Sequence, residues 1–215
     1  MTIEIDIWSD IACPWCYLGK KRLEEAVASS GEDVAIRYRS FQLDPTIPAG
    51  QATPHAEALA KKFNTTPERV REMNGRLESL GAEAGIDYDF DRYMSTNTRD
   101  AHRVLHLAHA HGLGVAMKER LMRAQFTEGA IVSDADTLVA LAIEVGLDGS
   151  EVRDVLSSDR FEADVQADID QAAAYGATGV PFFVFDNAFA VSGAQPVETF
   201  ALALSKAREA RTAAV

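Results

Sequence analysis

With 215 residues, 47% of them apolar and 25% charged, the chain has the composition of a globular protein large enough to bury a core. Thirty-three acidic against 21 basic residues give a net charge of −12, which argues against nucleic acid as a partner. No apolar run approaches the roughly 20 residues that span a bilayer, and the opening Met1-Thr-Ile-Glu-Ile-Asp6 lacks the basic start and apolar stretch of a secretory leader, so no membrane is expected and the expected location is the cytoplasm.

Ile3, Ile5 and Ile7 alternate with polar residues up to Trp8, the period of a strand. From Pro14 the apolar positions Tyr17, Leu18, Leu23, Ala26 and Val27 recur at helical spacing until Gly31, a suitable stop. Val34–Phe41 alternates again, so the chain opens with a βαβ unit, expected to be parallel and right-handed. From Thr53 to about Gly176 the β-branched alternation disappears, and Ala and Leu dominate. The pattern predicts helices at about 54–63, 67–84, 98–111, 115–128, 135–145 and 150–156, and one running into Tyr175. Thr66, Asn97 and Ser133 or Asp134 suit N-caps, and Gly112, Gly129 and Gly146 suit helix ends. Strand texture returns at Val180–Phe185 and, after an Asp186-Asn187 turn, at Phe189–Ser192. A last helix is expected from Pro196 to about Ala210, with Val197, Phe200, Leu202 and Leu204 on its buried side. The order is βαβ, a helical insertion, then ββα. Residues 1–52 and 177–215 are thus the two parts of one α/β domain, and 53–176 a helical domain set into it.

The chain has two cysteines, Cys13 and Cys16. A structural disulfide framework would spread its cysteines to close long loops, and a structural zinc site normally takes four ligands. A pair three positions apart points instead to reactivity, and no metal is expected. Disulfide exchange needs a thiolate. At a strand–helix junction Cys13 takes the N-cap, where free backbone N–H groups and the helix dipole favour its ionised form. Pro14 then fills the first turn, where its missing N–H costs nothing. Cys16, one turn on, faces the same side and can close an intramolecular disulfide. Cys13 is therefore the expected nucleophile and Cys16 the more buried resolving thiol. Val180-Pro181 opens a strand, where proline is unusual in a central position. With Cys-x-x-Cys upstream, a cis Val180–Pro181 bond would turn the chain beside the cysteines and leave the Val180 backbone free to pair with a substrate peptide.

An ordered set of segments carries a family resemblance: Trp8-Ser-Asp-Ile-Ala-Cys-Pro-Trp-Cys-Tyr-Leu-Gly19, Phe41-Gln-Leu-Asp-Pro45, Asn97-Thr-Arg-Asp-Ala-His-Arg103, Gly179-Val-Pro-Phe-Phe-Val-Phe185 and Ser192-Gly-Ala-Gln-Pro196. Together they span nearly the whole chain, which resembles the DsbA-like branch of the thioredoxin superfamily, specifically the FrnE type. The resemblance implies a thioredoxin-like α/β fold with a large inserted α-helical domain. It also implies a cytosolic thiol–disulfide oxidoreductase or disulfide isomerase, with Cys13 and Cys16 as its catalytic residues. No cofactor is implied beyond the redox-active disulfide, with glutathione a candidate reductant. The wider family also contains kappa-class glutathione transferases and 2-hydroxychromene-2-carboxylate isomerases. These carry a serine where Cys13 stands and activate glutathione, so a glutathione-dependent transferase or isomerase of small molecules is the alternative. Two cysteines, and Ala194-Gln195 where those relatives typically place a Ser-Asp type pair, weaken that alternative.

Trp15, between the cysteines, is expected at the surface as an apolar contact for unfolded substrates. It replaces the histidine of strongly oxidising DsbA, which implies a Cys13 less acidic than about 3.5 and a potential nearer about −200 mV than about −120 mV. Pro14, Trp15, Val180 and Pro181 are the expected substrate-binding residues. His102 joins them because the Asn97–Arg103 stretch could border the cleft. His102, His106 and His109 share a helix face near His111, which reads as a partly solvated face rather than a metal site. Asp10 reads as a turn or cap residue, and Phe182, Phe183, Phe185 and Phe189 as core. The expected partners are protein or small thiol and disulfide substrates, with a homodimer a further candidate.

Overall fold

The structure, a computed structural model, describes residues 2–213. Met1, Ala214 and Val215, at the outer ends of the two spans expected for the α/β domain, lie outside the described residues. Strand β1 (Ile3–Ser9) is followed by helix α1 (Pro14–Ser30) and strand β2 (Val34–Ser40). Helix α1 starts with Pro14 in its first turn and stops at Gly31, whose φ of 68° lies in the left-handed region that glycine adopts without strain. The strands β1 and β2 run parallel, with Ile7 opposite Tyr38.

The chain then leaves the sheet through β3 (Ala52–Pro54), α2 (His55–Lys62), α3 (Pro67–Glu83), β4 (Met94–Thr96), α4 (Arg99–Ala110), α5 (Gly114–Phe126), α6 (Ala135–Val145), α7 (Gly149–Leu156) and α8 (Glu162–Ala174). It returns as β5 (Phe182–Phe185), β6 (Phe189–Ser192) and α9 (Val197–Ala213). The main sheet has the order β2-β1-β5-β6, with β5 antiparallel to both of its neighbours.

The caps follow from side-chain chemistry. Thr66 accepts from the Arg69 N–H and Asp134 from the Thr137 N–H, each satisfying a donor that the first helical turn leaves free. Asn97 acts one residue early: Thr98 holds the N-cap of α4, while the Asn97 side chain accepts from the Arg99 N–H at 2.8 Å.

Three expectations are corrected. The insertion carries a two-stranded ribbon, β3 against β4, because three-residue strands are too short to show alternation. Val180 and Pro181 precede the strand, which starts at Phe182. Leu202 is 72% exposed, because α9 buries Phe200, Ala203, Leu204 and Ala207 on the opposite face.

The central strand β1 is covered on both faces. Ile3, Ile5 and Ile7 pack with Leu23 of α1, Phe200 and Leu204 of α9, and Phe183 and Phe185 of β5. Trp8 faces the other way among Ala172, Phe182 and Val184, and its indole N–H donates to the Asp168 carbonyl of α8 at 2.7 Å. Each fully buried aliphatic side chain here stabilises by roughly 1.5–3 kcal/mol, so the strand that delivers the cysteines is held firmly. Among the described residues, no helix is long and apolar enough to cross a membrane.

Candidate active site around the Cys13–Cys16 pair

Where β1 ends, Asp10 turns the chain: its carbonyl accepts from the Cys13 N–H at 3.3 Å. Cys13 is the N-cap of α1 with extended backbone angles, and its carbonyl accepts the first helical bond, from the Cys16 N–H at 3.0 Å. Both thiols are free. The Val180–Pro181 bond is cis, and the Val180 carbonyl accepts from the Cys13 thiol at 3.6 Å. The Pro181 carbonyl in turn accepts from the Gly193 N–H at 2.8 Å, so the loop after β6 joins the same corner. Arg22 of α1 closes it by donating to the Ala194 carbonyl at 2.8 Å. Gly19 makes the close approach feasible: a Cβ there would lie 3.0 Å from Pro181 Cγ and 3.2 Å from Phe183 Cζ.

The insertion roofs this corner with aromatic residues that no spacing in the sequence marked. Cys13 and Cys16 pack with Leu77, Ile86, Tyr88, Phe90, Tyr93, Met122 and Phe126. Two of the rings also carry polar contacts. The Tyr88 hydroxyl donates to the Pro14 carbonyl at 2.6 Å, and the Tyr93 hydroxyl to the Ala12 carbonyl at 2.9 Å. The cysteines are 3% and 2% exposed, whereas Trp15 between them is 42% exposed, so the opening to solvent lies on the Trp15 side.

His102 is not at the cleft. It is fully buried in α4, and its Nε2 meets the Asp10 carboxylate at 3.2 Å. Burial pushes its pKa down, leaving a neutral imidazole that donates to Asp10. His106 and His109 on the same helix are only half-buried, a partly solvated face, and each is hydrogen-bonded. His106 meets Ser40 Oγ at 3.1 Å and Asp168 at 3.2 Å, and His109 meets the Tyr38 carbonyl at 2.9 Å. Each has its own partner, and among the described residues no cluster has the geometry to hold a metal.

Asp10 does more than turn the chain. Its carboxylate accepts from the Leu43 N–H at 2.8 Å and the Ala12 N–H at 3.3 Å as well as from His102. Burial alone would raise its pKa, but these hydrogen bonds outweigh that and hold it below the usual range. Lys118 of α5 is fully buried and donates to the Ser9 carbonyl at 3.2 Å, and burial pushes its pKa down to about 8 against the opposing pull of Cys16, Asp10 and Cys13. The Cys13 thiol is pushed up, first by its hydrogen bond to Cys16 and then by burial, with Asp10 adding to the shift. The helix N-terminus expected to favour the thiolate is thus opposed by a neighbouring sulfur and a dry surrounding. Two sulfurs this close share one negative charge rather than carrying two.

Residues 4–205 match the DSBA-like thioredoxin domain family. The fold superposes with TM-score 0.92 on the probable DsbA oxidoreductase SCO1869 of Streptomyces coelicolor, at 40% identity over 96% of this chain and 90% of that one. The uncharacterized protein YwbO of Bacillus subtilis is 29% identical over 95% of this chain and 97% of its own length. The cytosolic disulfide reductase DsbM of Pseudomonas aeruginosa, solved with GSH, has the same fold at TM-score 0.66 and 21% identity, over 95% of this chain and 99% of that one. The family match runs from within β1 to within α9, and on that extent the chain is a member of the DSBA-like thioredoxin domain family.

Proposed function

We propose that the protein is a thiol–disulfide oxidoreductase that works through Cys13 and Cys16 on polypeptide disulfides in the cytoplasm, as a reductase or isomerase. The observation that carries this reading is the free cysteine pair at the start of α1, with the Cys13 sulfur against the Val180 carbonyl. In the reduced protein a Cys13 thiolate attacks one sulfur of a substrate disulfide. That S–S bond breaks, one substrate thiolate leaves and is protonated, and a mixed disulfide remains on Cys13. Cys16 then attacks the Cys13 sulfur, releasing the second substrate thiol and leaving a Cys13–Cys16 disulfide. The substrate gains two electrons and the protein loses two. If the substrate thiol re-attacks before Cys16 does, the result is isomerisation.

Trp15, Pro14, Val180 and Pro181 are the contacts proposed for substrate, with the exposed Trp15 ring meeting apolar segments of a partly unfolded chain. In this reading the helical span 53–176 is the cover that keeps solvent from the sulfurs. Glutathione is the proposed reductant, in line with the GSH bound by the similarly folded DsbM. In a reducing compartment this chemistry runs towards reduction and isomerisation. The test is insulin reduction and refolding of scrambled ribonuclease, with Cys13→Ser abolishing both and Cys16→Ser accumulating a mixed disulfide. If neither substrate is turned over, while Cys16→Ser still joins glutathione to an electrophile, the transferase reading replaces this one.

A further inference from the structure

Disulfide exchange by Cys13 and Cys16 leaves one cavity beside their turn without a task. It measures 280 Å³, and neither the cysteines nor Trp15, Val180 or Pro181 line it. Ala12 of the turn, Leu43 from the loop after β2 and Ala58 of α2 give it apolar walls, and His55, Tyr93 and Phe63 give it rings. The rings of His55 and Tyr93 stack 4.2 Å apart, and the Tyr93 hydroxyl is already committed to the Ala12 carbonyl. Leu43 and Phe63 are both exposed, large apolar side chains left in water beside a hollow. Such a surface is the mark of a binding site rather than of a packing fault.

Most polar groups on the lining are spent. The Asp10 carboxylate accepts from His102 and from two backbone N–H groups. Asp44 is paired with Lys62 at 2.9 Å, and the Thr96 hydroxyl donates to the Gln51 carbonyl at 3.1 Å. His55 is the exception. It is 5% exposed, and its Nδ1 meets Ser95 Oγ at 3.3 Å. Among the described residues its Nε2 has no hydrogen-bond partner. A polar atom so nearly enclosed is costly until something supplies the missing bond. A group entering the cavity is the partner left for it.

We propose that this cavity binds an uncharged phenol, with its ring against His55, Tyr93 and Phe63 and its hydroxyl on His55 Nε2. Size permits it: an apolar cavity of about 150 Å³ takes up benzene, so 280 Å³ admits a substituted ring. The three lining rings favour an aromatic guest over an aliphatic one of equal volume. A carboxylate or ammonium would find no free counter-charge, because Asp44 and Lys62 neutralise each other and Asp10 is saturated. Burial keeps His55 itself neutral, so it offers a hydrogen bond and not a charge. The phenol has two sources, a free small molecule and the tyrosine side chain of a polypeptide. Either would lie against Ala12, next in the chain to Cys13, but binding does not depend on the cysteines reacting.

The probe is 4-methylphenol, the side chain of tyrosine, with toluene as the same molecule lacking the hydroxyl. Each is titrated into the reduced protein while the ring signals of His55 and Tyr93 are followed by NMR. The expected result is a saturable shift of both rings, with 4-methylphenol binding about fivefold tighter than toluene. His55→Phe keeps a ring but removes Nε2, so the two affinities, read at Tyr93, should come within about twofold. Ala58→Trp fills the cavity and should weaken both ligands by about tenfold or more. No saturable shift in the wild-type protein would overturn the proposal, as would wild-type affinities in a folded Ala58→Trp protein. Should Ala58→Trp fail to fold, a fivefold preference that survives in His55→Phe sinks the idea. The pentapeptide Gly-Gly-Tyr-Gly-Gly separates the sources: binding as tight as that of 4-methylphenol assigns the site to polypeptide, and its exclusion to a free phenol. Loss of insulin reduction with phenol binding intact would count against the proposed disulfide exchange alone.

Discussion

Gly19 offers a measurement of how tightly the Pro181 loop is pressed on the cysteine helix. In the open interior of a helix, Gly→Ala stabilises by about 1 kcal/mol, because glycine loses more backbone freedom. At Gly19 the new Cβ would stand 3.0 Å from Pro181 Cγ, 3.2 Å from Phe183 Cζ and 3.4 Å from the Ala194 Cα. None of these is free to yield. The Pro181 carbonyl is fixed by Gly193, the Phe183 ring is buried 4.7 Å from that of Phe200, and the Ala194 contact is backbone. Overpacking of this kind costs about 1–3 kcal/mol, so Gly19→Ala should be less stable than wild type by roughly 1 kcal/mol after the helical gain. Gly75 in α3 is the control, since a Cβ there meets nothing within 4 Å. Gly75→Ala should therefore gain about 0.5–1 kcal/mol. Urea midpoints of the two reduced variants, compared at unchanged slope, give the difference directly. Insulin reduction by Gly19→Ala should fall, because the Pro181 loop must retreat from Cys13. Equal stabilisation of the two variants would refute the tight approach.

Tyr93→Phe deletes the donor to the Ala12 carbonyl and should cost about 0.5–1.5 kcal/mol in urea unfolding, together with a loss of exchange rate; an unchanged rate would mean that the turn does not need the brace. His55, buried and stacked 4.2 Å from Tyr93, titrates near pH 4 in the fold because burial disfavours its charge, against about 6.5 when unfolded. Its contribution, about 3 kcal/mol, is whole above pH 6.5 and is lost as pH falls to 4, so His55→Phe should flatten the decline of melting temperature across that window. A decline equal to wild type would show that other groups dominate it. Trp15→Ala should leave stability within about 0.5 kcal/mol and raise KM for insulin but not for glutathione disulfide; equal KM changes for both would remove Trp15 from the substrate surface.

What could be read in advance was what depends on near neighbours. The alternation of Ile3, Ile5 and Ile7, the strand–helix junction at Cys13 and the caps at Thr66 and Asp134 all follow from a few adjacent residues. What stayed hidden depends on where remote segments land. Tyr88 and Tyr93 lie between α3 and β4, with no periodic pattern to mark them, yet they brace the turn at Ala12 and Pro14. Lys118 defeats the rule that lysine faces water, and nothing around it in α5 signals otherwise. His102 went astray for a related reason. It is set on a helix whose Ala101, Val104, Leu105, Leu107 and Ala108 are all buried, so a face that looked like the rim of a cleft is interior.

The position of β5 governs when the working parts meet during synthesis. The cysteines are synthesised within the first twenty residues, but β1 keeps an open edge until β5 pairs with it, and the Val180 carbonyl beside Cys13 comes with that late segment. At roughly 5–20 residues per second, the stretch between Cys16 and Pro181 takes on the order of ten to thirty seconds to translate. During that interval the two thiols have neither the Pro181 loop nor the full aromatic roof. A nascent chain stalled inside the insertion would carry reactive thiols without the wall that selects what they react with.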